Sequence, residues 1–442
     1  MTSKKGYRLD GSTVDITISD LYWEEAVDLG LAGKAVDDEV FAKCSIQVMT
    51  EVEFDDREAI LKGVHDSIKK GGHQKGFHVG FEWTRTPWLK NFLIFQGFRT
   101  ITTSTLLVVT TAKGYEIKYI YWREPAADAS DMLRLCKYTY DTSEIKGAAG
   151  QYVVDARGDK TMNGTMLAYG AHDVYGKAVQ GGKTEPRMYN PSAKVDPKLN
   201  VLVTKHVDSL TAWEQKMIPG YAAVRDNIAA AHDPGRLHRM TPNSSAFAMT
   251  TSINYVVDPH NDSGAACELI MFANRNGPLP PGHEWLFAIG GAILELPTHT
   301  GEAVIMCVKG EGVYHGTLPT SSFEASYAHG NYGSALITKK QMINSLQRQA
   351  ARGETTATKY QSSELYFGPG VTGGKTAGTK EKSQSVDTTK IRKRTSSQVV
   401  TSVTPLLDKC YGCDFDCGYH QSYTREGYAA VLAHERRCRM RK

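Results

Sequence analysis

Two histidines and an aspartate carry the most specific chemistry in this chain. His260 and Asp262 lie in Pro259-His260-Asn261-Asp262, and His315 follows about fifty residues later in Tyr314-His315-Gly316. Two imidazoles and one carboxylate make a facial ligand set for iron that leaves the opposite side of the ion open. The H-x-D spacing suits this task, because alternate residues at a strand end can both reach one ion. The second histidine must then arrive from a distant strand. A lone H-x-D triplet is expected by chance among 14 histidines and 48 acidic residues, so the surrounding elements have to decide.

Those elements read as strands. Apolar or alternating runs recur at Ala246–Val257, Cys267–Phe272, Trp285–Ile289, Ala292–Leu296, Ala303–Val308 and Ser334–Thr338, separated by Gly, Pro and Asn turns. About seven short strands without intervening helices predict a double-stranded β-helix, the jelly roll, within an α+β chain. His329-Gly330 competes as the second ligand. His315 is preferred, because it follows the apolar run Ala303–Val308 after a Gly-rich turn. His283 and His299 fall in Pro-containing turns and read as solvated loop residues.

The order of motifs brings out a family resemblance. Thr251-Ser252-Ile253-Asn254-Tyr255 before the triplet, then Gly290-Gly291-Ala292-Ile293-Leu294-Glu295-Leu296-Pro297, then His315-Gly316-Thr317-Leu318-Pro319 resembles the core of the TET/J-binding-protein family of iron dioxygenases. The resemblance covers about a hundred residues of 442. It implies Fe(II) held by His260, Asp262 and His315, and oxidation of the methyl group of 5-methylcytosine or thymine in DNA with 2-oxoglutarate. Two positions depart from the pattern. An arginine usually grips the distal carboxylate of 2-oxoglutarate near the strand after the second histidine; here the stretch reads Tyr332–Ile337, and Lys339 and Lys340 could offer only a point charge. Where relatives carry a base-contacting Asn or Asp, this chain has Ala265, leaving Asn254 and Asn261 as candidates to touch the base. An algal branch resembling the family transfers a glyceryl group from ascorbate to 5-methylcytosine, and the missing arginine is compatible with that chemistry.

The C-terminal cysteines form a second constellation. Cys410, Cys413, Cys417 and Cys438 cluster with His420 and His434. Cys410-x-x-Cys413 has the bite of a zinc knuckle, and His434-x-x-x-Cys438 would place two ligands one helical turn apart. Cys410, Cys413, His434 and Cys438 are the expected structural zinc ligands, with Cys417 or His420 able to replace one. From Val371 onward, fourteen Lys or Arg face seven Asp or Glu; the net +7 leaves −3 for residues 1–370 of a chain whose total is +4. Lys390–Arg394 and Arg436–Lys442 could pair with nucleic-acid phosphates, and the first resembles a nuclear-localisation patch. These features predict a DNA partner and a nuclear location.

Four regions follow. Residues 1–195 read as an α/β region buttressing the core, 196–350 as the jelly roll, 351–405 as a flexible basic linker too poor in aliphatics to order itself, and 406–442 as the zinc module. In the first, Asp56–Lys70 has helical spacing and stops at Gly71-Gly72, while Thr102–Thr111 and Tyr115–Trp122 predict a hairpin about Lys113-Gly114. Val201–Ile218 predicts a helix ended by Pro219-Gly220. With 41% hydrophobic and 23% charged residues the chain has the make-up of a globular protein. No run approaches the roughly 18 apolar residues that span a bilayer, and the first residues lack a signal-like apolar stretch, so no membrane partner and a reducing compartment are expected. Two other classes fit part of the pattern: an iron oxygenase acting on a protein or small molecule, and a non-enzymatic zinc protein that binds DNA.

Overall fold

A computed structural model describes residues 3–72, 87–124, 130–135, 165–172, 187–188, 197–236, 238–253, 255, 257–262, 268–274, 284–299, 302–309, 312–319, 331–351, 405–406, 410–412 and 420–422. The chain divides into two compact units, Met1–Pro87 with Gln96–Val371, and Trp88–Phe95 with Thr372–Lys442.

The first unit begins with β1 (Ser3–Arg8), β2 (Thr13–Thr17), β3 (Leu21–Tyr22), α1 (Glu24–Asp28), α2 (Asp38–Lys43), β4 (Ser45–Thr50) and the long α3 (Glu51–Gly72). Helix α3 starts five residues before the periodicity of Asp56–Lys70 suggests. Thr50 Oγ1 accepts from the Glu53 amide at 3.2 Å and Glu53 Oε2 accepts from the Thr50 amide at 2.8 Å, a reciprocal cap that satisfies two otherwise orphan donors. After α4 (Pro87–Phe95) come β5 (Arg99–Ile101), β6 (Thr105–Thr111) and β7 (Gly114–Glu124). The last two form the expected hairpin, closed at Thr111 opposite Gly114.

Then follow β8 (Thr165–His172), β9 (Arg187–Met188), α5 (Pro197–Met217) and α6 (Pro219–His232). Pro219 does stop α5, but it also opens α6, because its fixed φ and missing donor suit the first position of a helix. The remaining elements are β10 (Ala248–Ile253), β11 (Val257–His260), β12 (Glu268–Asn274), β13 (Trp285–Ile289), β14 (Ala292–Glu295), β15 (Ala303–Val308), β16 (His315–Pro319), β17 (Asn331–Ile337) and α7 (Lys340–Ala351).

Strands β10 to β17 distribute themselves between two sheets. One contains the antiparallel order β15-β12-β17-β10, and the other β11-β16-β13-β14. This eight-strand arrangement is the jelly roll anticipated from the strand runs. The N-terminal strands do more than buttress it: β7 joins the edge at β15, β8 the edge at β10, and β5 runs parallel to β14. Both open edges of the large jelly-roll sheet, and the β14 edge of the small one, are thereby paired.

Strand β12 explains why its sequence is a continuous apolar run. Ile270 and Phe272 face the second sheet and pack with Phe287, Trp285, Val304 and Met306. Leu269 and Met271 face the opposite way, in the cluster that holds Val203, Val207 and Leu210 of α5. A strand buried on both faces has no polar side to alternate with. No helix among the described residues is long and apolar enough to cross a membrane.

In the second unit, α4 is joined by a three-stranded antiparallel ladder, β18 (Pro405–Leu406), β19 (Cys410–Gly412) and β20 (His420–Ser422). Cys410 and His420 therefore sit on neighbouring strands, with Gly412 opposite His420. Cys413, Cys417, His434 and Cys438 lie outside the described residues, as does the linker 352–404.

One polar tie secures α5 to the jelly roll. His206 Nε2 lies 2.7 Å from Ser334 Oγ on β17, and burial pushes the imidazole pKa down to about 4. A depressed folded pKa means that the unfolded chain takes up the proton first, so stability present above about pH 6.5 is lost as pH falls towards 4. Denaturant titrations across pH 7 to 4 should show roughly 3 kcal/mol of pH-dependent stability that is missing in His206→Gln. Parallel curves for the two proteins would show that His206 does not titrate this way.

Candidate metal centre

The three predicted ligands meet at one end of the small sheet. Strand β11 pairs with β16 so that His260 stands directly opposite His315, while Val257 stands opposite Thr317. Three steps on β11 thus match two on β16, the signature of a bulge with one extra residue. Pro259 occupies the irregular stretch, where its missing amide donor costs the ladder nothing. The imidazole centroids of His260 and His315 are 4.7 Å apart.

Asp262 completes the set from just beyond the strand end. Its Oδ2 lies 3.4 Å from His260 Nε2 and 3.5 Å from His315 Nε2, and one donor atom from each residue falls within 4.8 Å of the others. Burial alone would lift the Asp262 pKa. Hydrogen bonds and positive charge from both histidines outweigh it and hold the carboxyl far below the usual range. A carboxylate kept ionised beside two ring nitrogens is the donor set a divalent first-row metal requires, so the residues fit ferrous iron.

The surroundings orient His315 more than His260. His315 is buried, its ring stacks on Phe287 at 5.6 Å, and its Nδ1–H donates to the Val313 carbonyl at 3.1 Å. That bond fixes Nε2 as the nitrogen that would face the metal, its proton being given up on binding. The side chains of His260 and Asp262 retain 27% and 35% exposure, so the centre opens on their side. Asn261, between them, is exposed and accepts from the Gly312 amide at 3.2 Å, linking the two ligand-bearing loops.

Two carboxyls absent from the sequence-based site belong beside it. Glu58 of α3 accepts from the Tyr314 amide at 2.6 Å, and burial pushes its pKa up to about 8. It fits there because residue 290 is glycine: a Cβ at Gly290 would come within 2.6 Å of Glu58 Oε1. In sequence Glu58 looks like any acidic residue of an amphipathic helix. Glu268 opens β12 and shares the inward face of Ile270 and Phe272; burial, reinforced by the Asp262 charge, lifts its pKa to about 8 against the opposing pull of Lys339, His260 and Arg225. A lone carboxylate at the start of an apolar strand was the available signal.

Of the remaining candidates, Lys339 is half-buried just after β17 and its charge is felt at Glu268, whereas Lys340 is exposed at the start of α7. His299 is exposed, as a turn residue should be. Asn254, Ala265, His283 and His329 lie outside the described residues.

No protein-family model and no curated protein matches the chain. Solved structures similar to parts of it include a candidate oxygenase from Shewanella oneidensis, 8% identical over 54% of this chain and 91% of that one, with a TM-score of 0.29. Another is a candidate 2OG-Fe(II) oxygenase family protein from Caulobacter crescentus, 9% identical over 70% of this chain and 99% of that one, with a TM-score of 0.28. Superpositions this loose decide neither fold nor chemistry, which rest on the strand pairing and the ligand geometry.

Glu58 is expected to position the turn that carries His315. Glu58→Ala should leave the Tyr314 amide without its acceptor and weaken Fe(II) or Co(II) binding about tenfold or more in anaerobic calorimetry, while Glu58→Gln, which keeps an acceptor oxygen, stays close to the parent. Equal affinities for parent and Glu58→Ala would deny it that role. His260→Ala and Asp262→Ala should each lose iron outright, and iron retained in both would remove the ligand assignment.

Proposed function

We propose that the chain is an Fe(II)-dependent dioxygenase that oxidises the methyl group of 5-methylcytosine, or of a related methylated base, in DNA with 2-oxoglutarate as cosubstrate. The observation that carries the iron chemistry is the meeting of His260, Asp262 and His315 at one end of a jelly roll, around an ionised carboxylate. The DNA substrate and the cosubstrate rest on the sequence resemblance and on the basic C-terminal residues.

His260, Asp262 and His315 would hold the metal, which when bound supplies the activation of dioxygen needed to attack a methyl C–H bond. The chain's own residues do the rest. The Val313 carbonyl and Phe287 hold the His315 ring in its ligating orientation, and the packed interior of Phe272, Phe287 and Met306 keeps bulk water from that side. A methyl group inside duplex DNA is out of reach of this centre, so the base must leave the stack, at a cost of a few kcal/mol. Phosphate contacts from Lys390–Arg394 and Arg436–Lys442 would offset that cost. In the same reading Cys410, Cys413, His434 and Cys438 hold a structural zinc, Asn254 or Asn261 touches the base, and the protein works in the nucleus.

Glu268 favours a second reading of the cosubstrate. A buried carboxyl on the inward face, within electrostatic reach of Lys339 and Asp262, would repel the distal carboxylate of 2-oxoglutarate whenever it is ionised. Ascorbate, an enediol lactone, has no carboxylate to be repelled, so glyceryl transfer from ascorbate onto 5-methylcytosine fits the same centre.

Nucleoside mass spectrometry separates the two. The protein is incubated with methylated DNA, Fe(II) and either cosubstrate; oxidised 5-methylcytosine with 2-oxoglutarate is the expected product, and a glyceryl adduct with ascorbate marks the second reading. An unchanged base with both, from protein that has bound iron, would falsify the DNA proposal and turn attention to protein or small-molecule substrates. Elemental analysis of the same sample should give one iron and one zinc per chain.

A further inference from the structure

A cavity of about 630 Å³ opens between α5, α6 and the stretch that follows α6. It shares no residue with the metal centre and lies on the helix-covered side of the large sheet, where α5 buries Val203, Val207 and Leu210. Arg236 and Arg239 line it, along with Thr211, Asp208 and Asp226. Its volume falls within the range of small-molecule sites.

The polar groups of this cavity are only half matched. Asp208 accepts from Thr241 Oγ1 at 2.5 Å, and Asp226 accepts from Ser245 Oγ. Both carboxylates thus have hydroxyl donors of their own, and among the described residues neither arginine has a carboxylate within 4.0 Å. Arg239 is 5% exposed, yet among the described residues its Nε has no hydrogen-bond partner; Thr211, at 4%, has an Oγ1 that is equally unpartnered there. Burying a guanidinium with no carboxylate in close contact is costly, and an unmade buried hydroxyl bond adds to it.

The second arginine makes the imbalance worse rather than better. Burial lowers the Arg239 pKa, and the charge of Arg236 lowers it again, against partial compensation from Asp233 and Asp226. Arg236 itself has φ of 54°, a left-handed conformation rare outside glycine. Its amide donates to the Asp233 carbonyl at 2.9 Å and its guanidinium to the Pro242 carbonyl at 3.4 Å, so the local fold holds this arginine at the rim against its backbone preference.

We infer that this cavity is a binding site for a small anion, with the buried Arg239 fork, the rim Arg236 and the Thr211 hydroxyl receiving one phosphate or carboxylate group. Two guanidiniums offer paired N–H donors in the geometry that such oxyanions accept. Arg239 is too deeply buried for a backbone phosphate of duplex DNA to reach it, which favours a free small molecule. The phosphate and carboxylate chemistries are separated by the choice of probe.

The full chain is titrated calorimetrically with inorganic phosphate and, separately, with succinate, in low-salt chloride buffer. Saturable binding of at least one probe below about 10 mM, with a matching rise in Tm, is expected. Arg239→Gln should weaken it roughly tenfold or more, and Thr211→Val, which exchanges one hydroxyl for a methyl, should weaken it several-fold with an unchanged circular dichroism spectrum. Phosphate binding alone assigns a phosphoester ligand and succinate binding alone a carboxylate. No saturable binding of either probe, or equal affinities in the parent and the folded Thr211→Val protein, overturns the site.

Discussion

The pairing of β11 with β16 is the constraint on which this centre depends. Left in regular register, two antiparallel strands would place residues 257 and 259 opposite 317 and 315, and the backbone of Pro259 would sit where a ladder donor belongs. The extra residue moves His260 into that place. A bulge is an expensive local irregularity unless it does something, and here it sets two imidazoles 4.7 Å apart with an aspartate two residues on. The jelly roll surrounding it makes the bulge tolerable, since β16 is pinned on its other side by β13 in unbroken register from Trp285 to Ile289.

Around that pair the charges are sorted by environment. Asp262 stays ionised because two histidines face it; Glu58 and Glu268, each buried without such a partner, are pushed towards the neutral form near pH 7. Carboxyls driven apart in this way take different parts: Asp262 is suited to ligate, Glu58 to hold the Tyr314 amide, and Glu268 to shape what the interior accepts. The same physics operates in reverse at the helix-side cavity, where the buried Arg239 has no carboxylate in close contact among the described residues and its Nε is left without a partner there. One end of the molecule is arranged for a cation, and the flank of α5 and α6 for an anion.

The N-terminal half participates in both units of this arrangement's logic, support and chemistry. β7 extends the large sheet and β5 the small one, and α3 delivers Glu58 beneath the turn that bears His315. Gly290 and Gly291 allow that approach: the first leaves room for Glu58, and the second takes a φ of +82° at the tip of the β13–β14 hairpin. A pair of glycines that reads as a turn signal is also the socket for a distant helix.

Much of the core was legible because its patterns are local. Apolar runs bounded by Gly, Pro and Asn locate β12 to β15 within a residue or two, whereas the single run Ala246–Val257 covers β10 and reaches the first residue of β11; ligand chemistry alone singles out His260, Asp262 and His315. The early start of α3 was also written locally, in Thr50 and Glu53, although periodicity alone passes over it. What could not be read were relations between residues far apart in the chain. Glu58 touches Tyr314 across 256 positions, and no spacing rule connects a helix carboxylate to a strand amide. Glu268 and Arg239 acquire their meaning from burial, which is a property of the packed sheets and helices. The sequence by itself determined the ligand types and the strands that carry them; only the tertiary structure decided their convergence and the protonation of the carboxyls around them, because distance and desolvation exist only once the chain is packed.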